Sequence, residues 1–209
     1  MEYSIIRSKK RKRYLEFRIV NNKIVAYAPE KMDVATISKF YEKHRDVLQS
    51  KINKENNDFV EYLGEKYKIN VVKSKLLRSS HCEINGDDFN IFTPDKDVDI
   101  MDIINQWKKQ RAGEIIPKRI EIYLNKYKFQ FNFEKNNIKY KNQKTRWGSC
   151  SYNNNLNFNY NVISKSIEVI DYLVVHELTH TIIKNHSQKF WNVLKTIIPD
   201  FDILRKQLK

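Results

Sequence analysis

The 209-residue sequence predicts an α+β protein. A β-rich N-terminal region with one helix is expected over residues 1–95. A second region is expected over 96–209, with a central helix packed on a small antiparallel sheet. Three observations predict this. Short strand-like runs dominate up to a break at Pro94-Asp95-Lys96-Asp97, and a long helical pattern starts directly after it. Leu156-Asn157-Phe158-Asn159-Tyr160-Asn161-Val162 then alternates apolar and polar, the period of a strand with one buried face.

The elements follow in order. Runs 14–20 and 23–28 flank Asn21-Asn22, a hairpin signal, and Pro29 closes that unit. Asp33 is placed to cap a helix over 34–54, where Ile37, Phe40, Tyr41, Leu48 and Ile52 recur near helical spacing. Strands are expected at 67–72, 81–84 and 89–92, the last two joined through Asn85-Gly86-Asp87-Asp88. The long helix over 98–127 contains Pro117, which should kink or divide it. Residues 151–155 make a turn between the run 145–150 and the alternating strand over 156–162. Ser166 is positioned to cap a helix over 167–183, which Lys184-Asn185 ends. Ser187 begins a last helix carrying Phe190, Trp191, Leu194 and Ile198, stopped at Pro199.

Composition excludes several classes. No apolar run reaches the roughly 18–20 residues needed to cross a bilayer, and the N-terminus lacks the apolar stretch of a secretory signal. Two cysteines, Cys82 and Cys150, do not make a disulfide scaffold, so a cytoplasmic protein is expected. The net charge is +14, with its densest cluster at Lys9-Lys10-Arg11-Lys12-Arg13. Such a charge suits a polyanionic partner such as nucleic acid. It also follows from a composition rich in Lys, Asn and Ile, and the cluster reads equally as the solvated tip of a hairpin.

The chemistry is concentrated in His176-Glu177-Leu178-Thr179-His180. At 3.6 residues per turn the two histidines project from one helix face, one turn apart, where two imidazoles can bind one ion. Glu177 sits about 100° around the axis, so it cannot be a symmetric third ligand, but it can lean over the ion's open position and hold a water there. The helix is otherwise apolar at Val169, Ile170, Leu173, Val174, Val175, Leu178, Ile182 and Ile183. Buried polar groups without partners cost roughly 1–3 kcal/mol each there, and a metal removes that penalty. A histidine pair on a helix can also be two satisfied core residues. His186 decides between these readings, because it follows ten residues after His176, where the chain has just left the helix. Three nitrogen ligands and an open fourth position are the arrangement of catalytic zinc, with Glu177 as general base for its water. Arg146 and Tyr160, on the preceding hairpin, are the candidate substrate-binding or electrophilic helpers. Trp147 and Trp191 read as core packing.

These residues also carry a resemblance. Arg146-Trp147-Gly148-Ser149-Cys150-Ser151, Leu156-Asn157-Phe158, the run from Ile170 to His180, and Asn185-His186-Ser187 with Phe190-Trp191 resemble the YgjP-like metallopeptidase family. So do Arg7-Ser8-Lys9-Lys10-Arg11, Ala28-Pro29 and Leu63-Gly64-Glu65-Lys66-Tyr67. The resemblance implies a zincin-like catalytic region related to SprT-like and minimal gluzincin proteins, with zinc on the three histidines. The metzincin branch is excluded by Ile183, which stands where metzincins carry glycine, and by the lack of a following methionine turn. Within the family two substrate classes are implied. One is a peptide, which would pair with the hairpin's edge. The other is a nucleoside triphosphate, since some members are described as pyrophosphatases acting on UTP, and Lys139, Lys141, Lys144 and Arg146 would surround it. A non-enzymatic nucleic-acid-binding module is the third reading, disfavoured by the intact Glu177.

Overall fold

The computed structural model describes residues 3–9, 14–20, 23–55, 59–127, 131–133 and 137–208. The chain divides into two compact units, Met1–Asp58 and Phe59–Lys209.

In the first unit, β1 (Tyr3–Ser8), β2 (Glu16–Val20) and β3 (Lys23–Pro29) form a sheet in the order β1-β3-β2. The expected antiparallel pair is present as β2 and β3. Its turn residues Asn21-Asn22, like Lys10 to Arg13 of the basic run, lie outside the described residues. β1 pairs parallel with β3, a pairing that no local signal announces. Helix α1 (Val34–Glu55) starts where expected, because the Asp33 carboxylate accepts the Thr36 backbone N–H at 2.7 Å. Its apolar stripe, Ile37, Tyr41 and Leu48, is buried with Ile24, Ala26 and Ala28 of β3.

The second unit opens with β4 (Phe59–Tyr62), β5 (Glu65–Ser74), β6 (His81–Asn85) and β7 (Asp88–Pro94), in the order β4-β5-β7-β6. Helix α2 (Ile100–Lys126) follows, capped by Asp99. Its Ile104 and Trp107 share a core with Val60, Phe89 and Ile91 of the sheet. This packing joins the sheet and α2 in one core across the break read near residue 95, and the chain divides into its compact units after Asp58 instead. The Pro94–Asp97 stretch is a sharp connection inside one core. Pro117 does not divide α2 either. Ala112, Ile116 and Ile120 are buried on both sides of it, and that burial outweighs the roughly 3 kcal/mol an interior proline costs.

The remaining sheet holds β8 (Ile138–Lys141), β9 (Gly148–Cys150) and β10 (Leu156–Asn159), in the order β8-β10-β9. β9 and β10 are the expected antiparallel pair, but β8 joins β10 in parallel, so the sheet is mixed and not purely antiparallel. β10 is also shorter than its alternating pattern. The Asn159 side chain accepts the Asn161 N–H at 3.0 Å and donates to the Gln143 carbonyl at 2.8 Å, turning Tyr160–Ser164 into a 3-10 helix. Against this sheet and α2 lies α3 (Ile167–Thr179), with Ile170, Leu173, Val174 and Leu178 in the same core as Leu156 and Phe158. Arg119 of α2 clamps Asp171 of α3 with two parallel hydrogen bonds of 2.5 Å. α3 ends at Thr179, four residues before its apolar pattern does. The hydroxyls of Thr179 and Thr181 take the carbonyls of Val175 and Leu178, and the chain turns. Helix α4 (Gln188–Ile197) and a short α5 (Phe201–Lys206) complete the unit; the sequence reading missed α5. Among the described residues no helix is long and apolar enough to cross a membrane.

Candidate metal centre

His176 lies in the last turn of α3, and His180 is that helix's C-cap, its N–H still bonded to the His176 carbonyl at 3.3 Å. The i, i+4 relation therefore survives although the helix ends there. The turn beyond it brings the third imidazole back. Asn185 accepts the Ser187 N–H at 3.3 Å, and the His186 carbonyl accepts the Trp191 indole N–H at 3.0 Å. The Nε2 atoms of His180 and His186 are 3.1 Å apart, as are those of His186 and His176. All three rings rest on Phe190, which is fully buried, with centroids 4.6–4.9 Å from its ring. Phe190 acts as a floor for the ligand set.

This donor set fits a metal. Two nitrogens each about 2.0–2.1 Å from one ion at a tetrahedral angle stand about 3.3 Å apart, close to the observed spacing. The His180 Nδ1 lies 3.0 Å from the Ile183 carbonyl, and a hydrogen bond to that acceptor holds the proton on Nδ1 and leaves Nε2 free. His176 places Nδ1 3.4 Å from the Tyr172 hydroxyl. Burial, with the charges of His180, His186 and Arg205 behind it, pushes His176 down to about 3. Burial also lowers His180 and His186. All three are held in the neutral form that metals bind. Among the described residues this is the one group of three side chains suited to an ion.

Glu177 is 3% exposed, and its Oε2 has no hydrogen-bond partner among the described residues. A buried orphan oxygen beside three converging imidazoles is what a metal-bound water would satisfy. Burial raises the Glu177 carboxyl to about 8, opposed by the charge of Arg146. Its position depends on Gly148 of β9. A Cβ built there would fall 2.9 Å from Glu177 Cγ and Cδ and would overlap Oε1. Only glycine lets the strand run this close to the carboxylate.

A cavity of about 270 Å³ opens onto His176 and Glu177, walled by Trp147, Tyr172, Arg205 and Leu208. The Trp147 indole donates to the Leu208 carbonyl at 2.6 Å, pinning that wall. Trp147 thus lines the cavity as well as packing on the core, whereas Trp191 packs with Phe190 and Phe201 as expected. Of the two predicted helpers, Arg146 is exposed within electrostatic reach of Glu177. Tyr160 lies in the 3-10 helix, buried in the core with Ile163 and Leu173, and does not line the cavity. Arg205 and Leu208 were missed because their signal is tertiary: they reach the site only through the fold of the last helices. A larger cavity of about 740 Å³, between β6 and the start of α2, contains none of these ligands.

A family model described as YgjP-like, metallopeptidase domain, matches residues 13–209. No curated protein matches. Among solved structures, the metallopeptidase zymogen jannalysin of Methanocaldococcus jannaschii matches at 28% identity with a TM-score of 0.38, over 44% of this chain and 91% of that one.

Proposed function

We infer the function from one premise: the chain belongs to the YgjP-like metallopeptidase family. It is a zinc-dependent hydrolase that cleaves peptide bonds, with the metal on His176, His180 and His186 and with Glu177 as general base. The observation that carries this reading is the convergence of three imidazoles, the His186 Nε2 lying 3.1 Å from that of each of the other two, with the buried Glu177 whose Oε2 has no partner among the described residues.

His176, His180 and His186 would hold a zinc ion, which would supply Lewis acidity to a water or a substrate carbonyl. The chain's own residues do the rest. Glu177 takes a proton at Oε2, the oxygen that has no partner among the described residues. It can return that proton to the leaving amine. β9 is an edge of its sheet, so an extended peptide can add beside Gly148–Cys150 and lay its backbone across the cavity mouth. Arg146, whose charge acts on Glu177, is the candidate to polarise a substrate carbonyl. The triphosphate reading gains no support from the geometry. Lys139 and Lys141 lie on β8, separated from β9 by β10, and the cavity wall carries a single cation, Arg205.

The test is incubation of zinc-loaded protein with a peptide library and a nucleotide panel, beside Glu177→Gln. Cleaved peptide from the parent, and turnover roughly 100-fold or more lower in Glu177→Gln at equal zinc content, is expected. Parental turnover in that variant would overturn the mechanism, and release of diphosphate without peptide cleavage would overturn the substrate class.

A further inference from the structure

Arg205 is the one charged side chain other than Glu177 on the wall of the catalytic cavity. Its guanidinium lies 4.7 Å from the centre of the Trp191 ring. Trp191 is itself fixed, by its bond to the His186 carbonyl and by stacking on Phe201 at 5.5 Å and 17°. The fork is thereby held in place by a flat partner that uses none of its N–H donors. Among the described residues no carboxylate lies within ion-pair distance of it. Its charge is felt at His176 and His186, in each case behind burial.

Arg205 is exposed, so water screens its repulsion of a dication on those histidines while leaving the fork open to a ligand. The stacking on Trp191 and the place in the last turn of α5 hold the side chain, and its N–H donors stay free on the cavity wall for a ligand of opposite sign. We propose that Arg205 is a specificity-determining residue that binds a carboxylate of the substrate next to the scissile bond. This rests on the peptidase reading above. The cavity, about 270 Å³, lies just below the range of roughly 300–1,000 Å³ typical of whole-ligand sites, so it takes one residue of a longer chain. The carboxylate is either an Asp or Glu side chain or the peptide's own C-terminus, and both present the same two oxygens to the fork.

The experiment compares peptides that differ only by Glu against Gln at each position around the cleaved bond, each made with a free and an amidated C-terminus. Parent protein should favour the carboxylate member of one such pair by about tenfold or more in kcat/KM, mainly through KM. Arg205→Ala should equalise that pair and Arg205→Lys should retain part of the preference. Arg205→Glu should transfer the preference to Lys at the same position. Which pair responds tells a side chain from a C-terminus. Equal loss on both members, no parental preference, or a preference that survives Arg205→Ala would overturn the proposal. Calorimetric binding of the same peptides to zinc-loaded Glu177→Gln gives a readout without turnover. An Arg205-dependent carboxylate preference in binding, with no cleavage by the parent, would refute the peptidase reading and leave the recognition standing. Cleavage without charge preference would do the reverse.

Discussion

Gly148→Ala isolates the placement of the general base. Gly148 does not have a positive φ, so alanine brings no backbone strain, and the strand pairing of β9 with Phe158 can persist. The added methyl would sit 2.9 Å from Glu177 Cγ and Cδ, where ordinary contacts begin at 3.4 Å, so the carboxylate must retreat by about 0.5 Å or more. The three histidines are not touched by that movement. A misplacement of about 1 Å at a reacting group costs on the order of 100-fold, so turnover should fall roughly 10- to 100-fold. Overpacking should also lower stability by about 1–3 kcal/mol. The assay is steady-state cleavage of the best peptide at saturating zinc, beside elemental analysis and a denaturation curve. A folded Gly148→Ala protein with full zinc and parental kcat would refute the idea that this close approach sets the base. Loss of zinc would instead show that the strand supports the ligands.

Four further outcomes are expected. Purified protein should carry about one zinc per chain, absent when His176 and His180 are both replaced. Chelation should then lower the melting temperature by roughly 8–16 °C relative to protein in free zinc about 1,000-fold above Kd, as scanning calorimetry would measure. Asp171→Ala should destabilise the second unit by about 2–4 kcal/mol in urea, because it strands the Arg119 guanidinium against α3. Charge reversal at Lys9, Lys10 and Arg11 should weaken binding of a DNA or RNA oligonucleotide in a salt-dependent way while leaving zinc content unchanged; salt-independent binding would remove nucleic acid as a partner of that segment.

What was legible in the sequence was whatever is local. His176, Glu177 and His180 are fixed by one helical repeat, and His186 by a short turn, so their meeting could be read from spacing. The caps at Asp33 and Asp99 and the β9–β10 hairpin are local too, although only the Asp33 cap and the hairpin were read. The parallel pairings of β1 with β3, β5 with β7 and β8 with β10 join strands that are not neighbours in sequence, and nothing in a run of residues encodes them. The same holds for Arg205 and Leu208, whose place on the cavity wall depends on α4 and α5 folding back. Side-chain competition ended two elements early. Asn159 broke an alternating strand, and Thr181 took the Leu178 carbonyl with both its N–H and its hydroxyl, in place of the Ile182 N–H of a continuing helix.

The place where α3 stops gives its ligand set an unusual reach. One imidazole comes from regular helix, one from the cap and one from the first residues of the following segment, just ahead of α4. An ion shared among them is a clasp across a chain reversal, so loading and the ordering of residues 180–187 become a single equilibrium. Amide exchange in that short stretch should therefore report metal occupancy, slow when the clasp is shut and fast when it is open, while the amides of α2 stay indifferent.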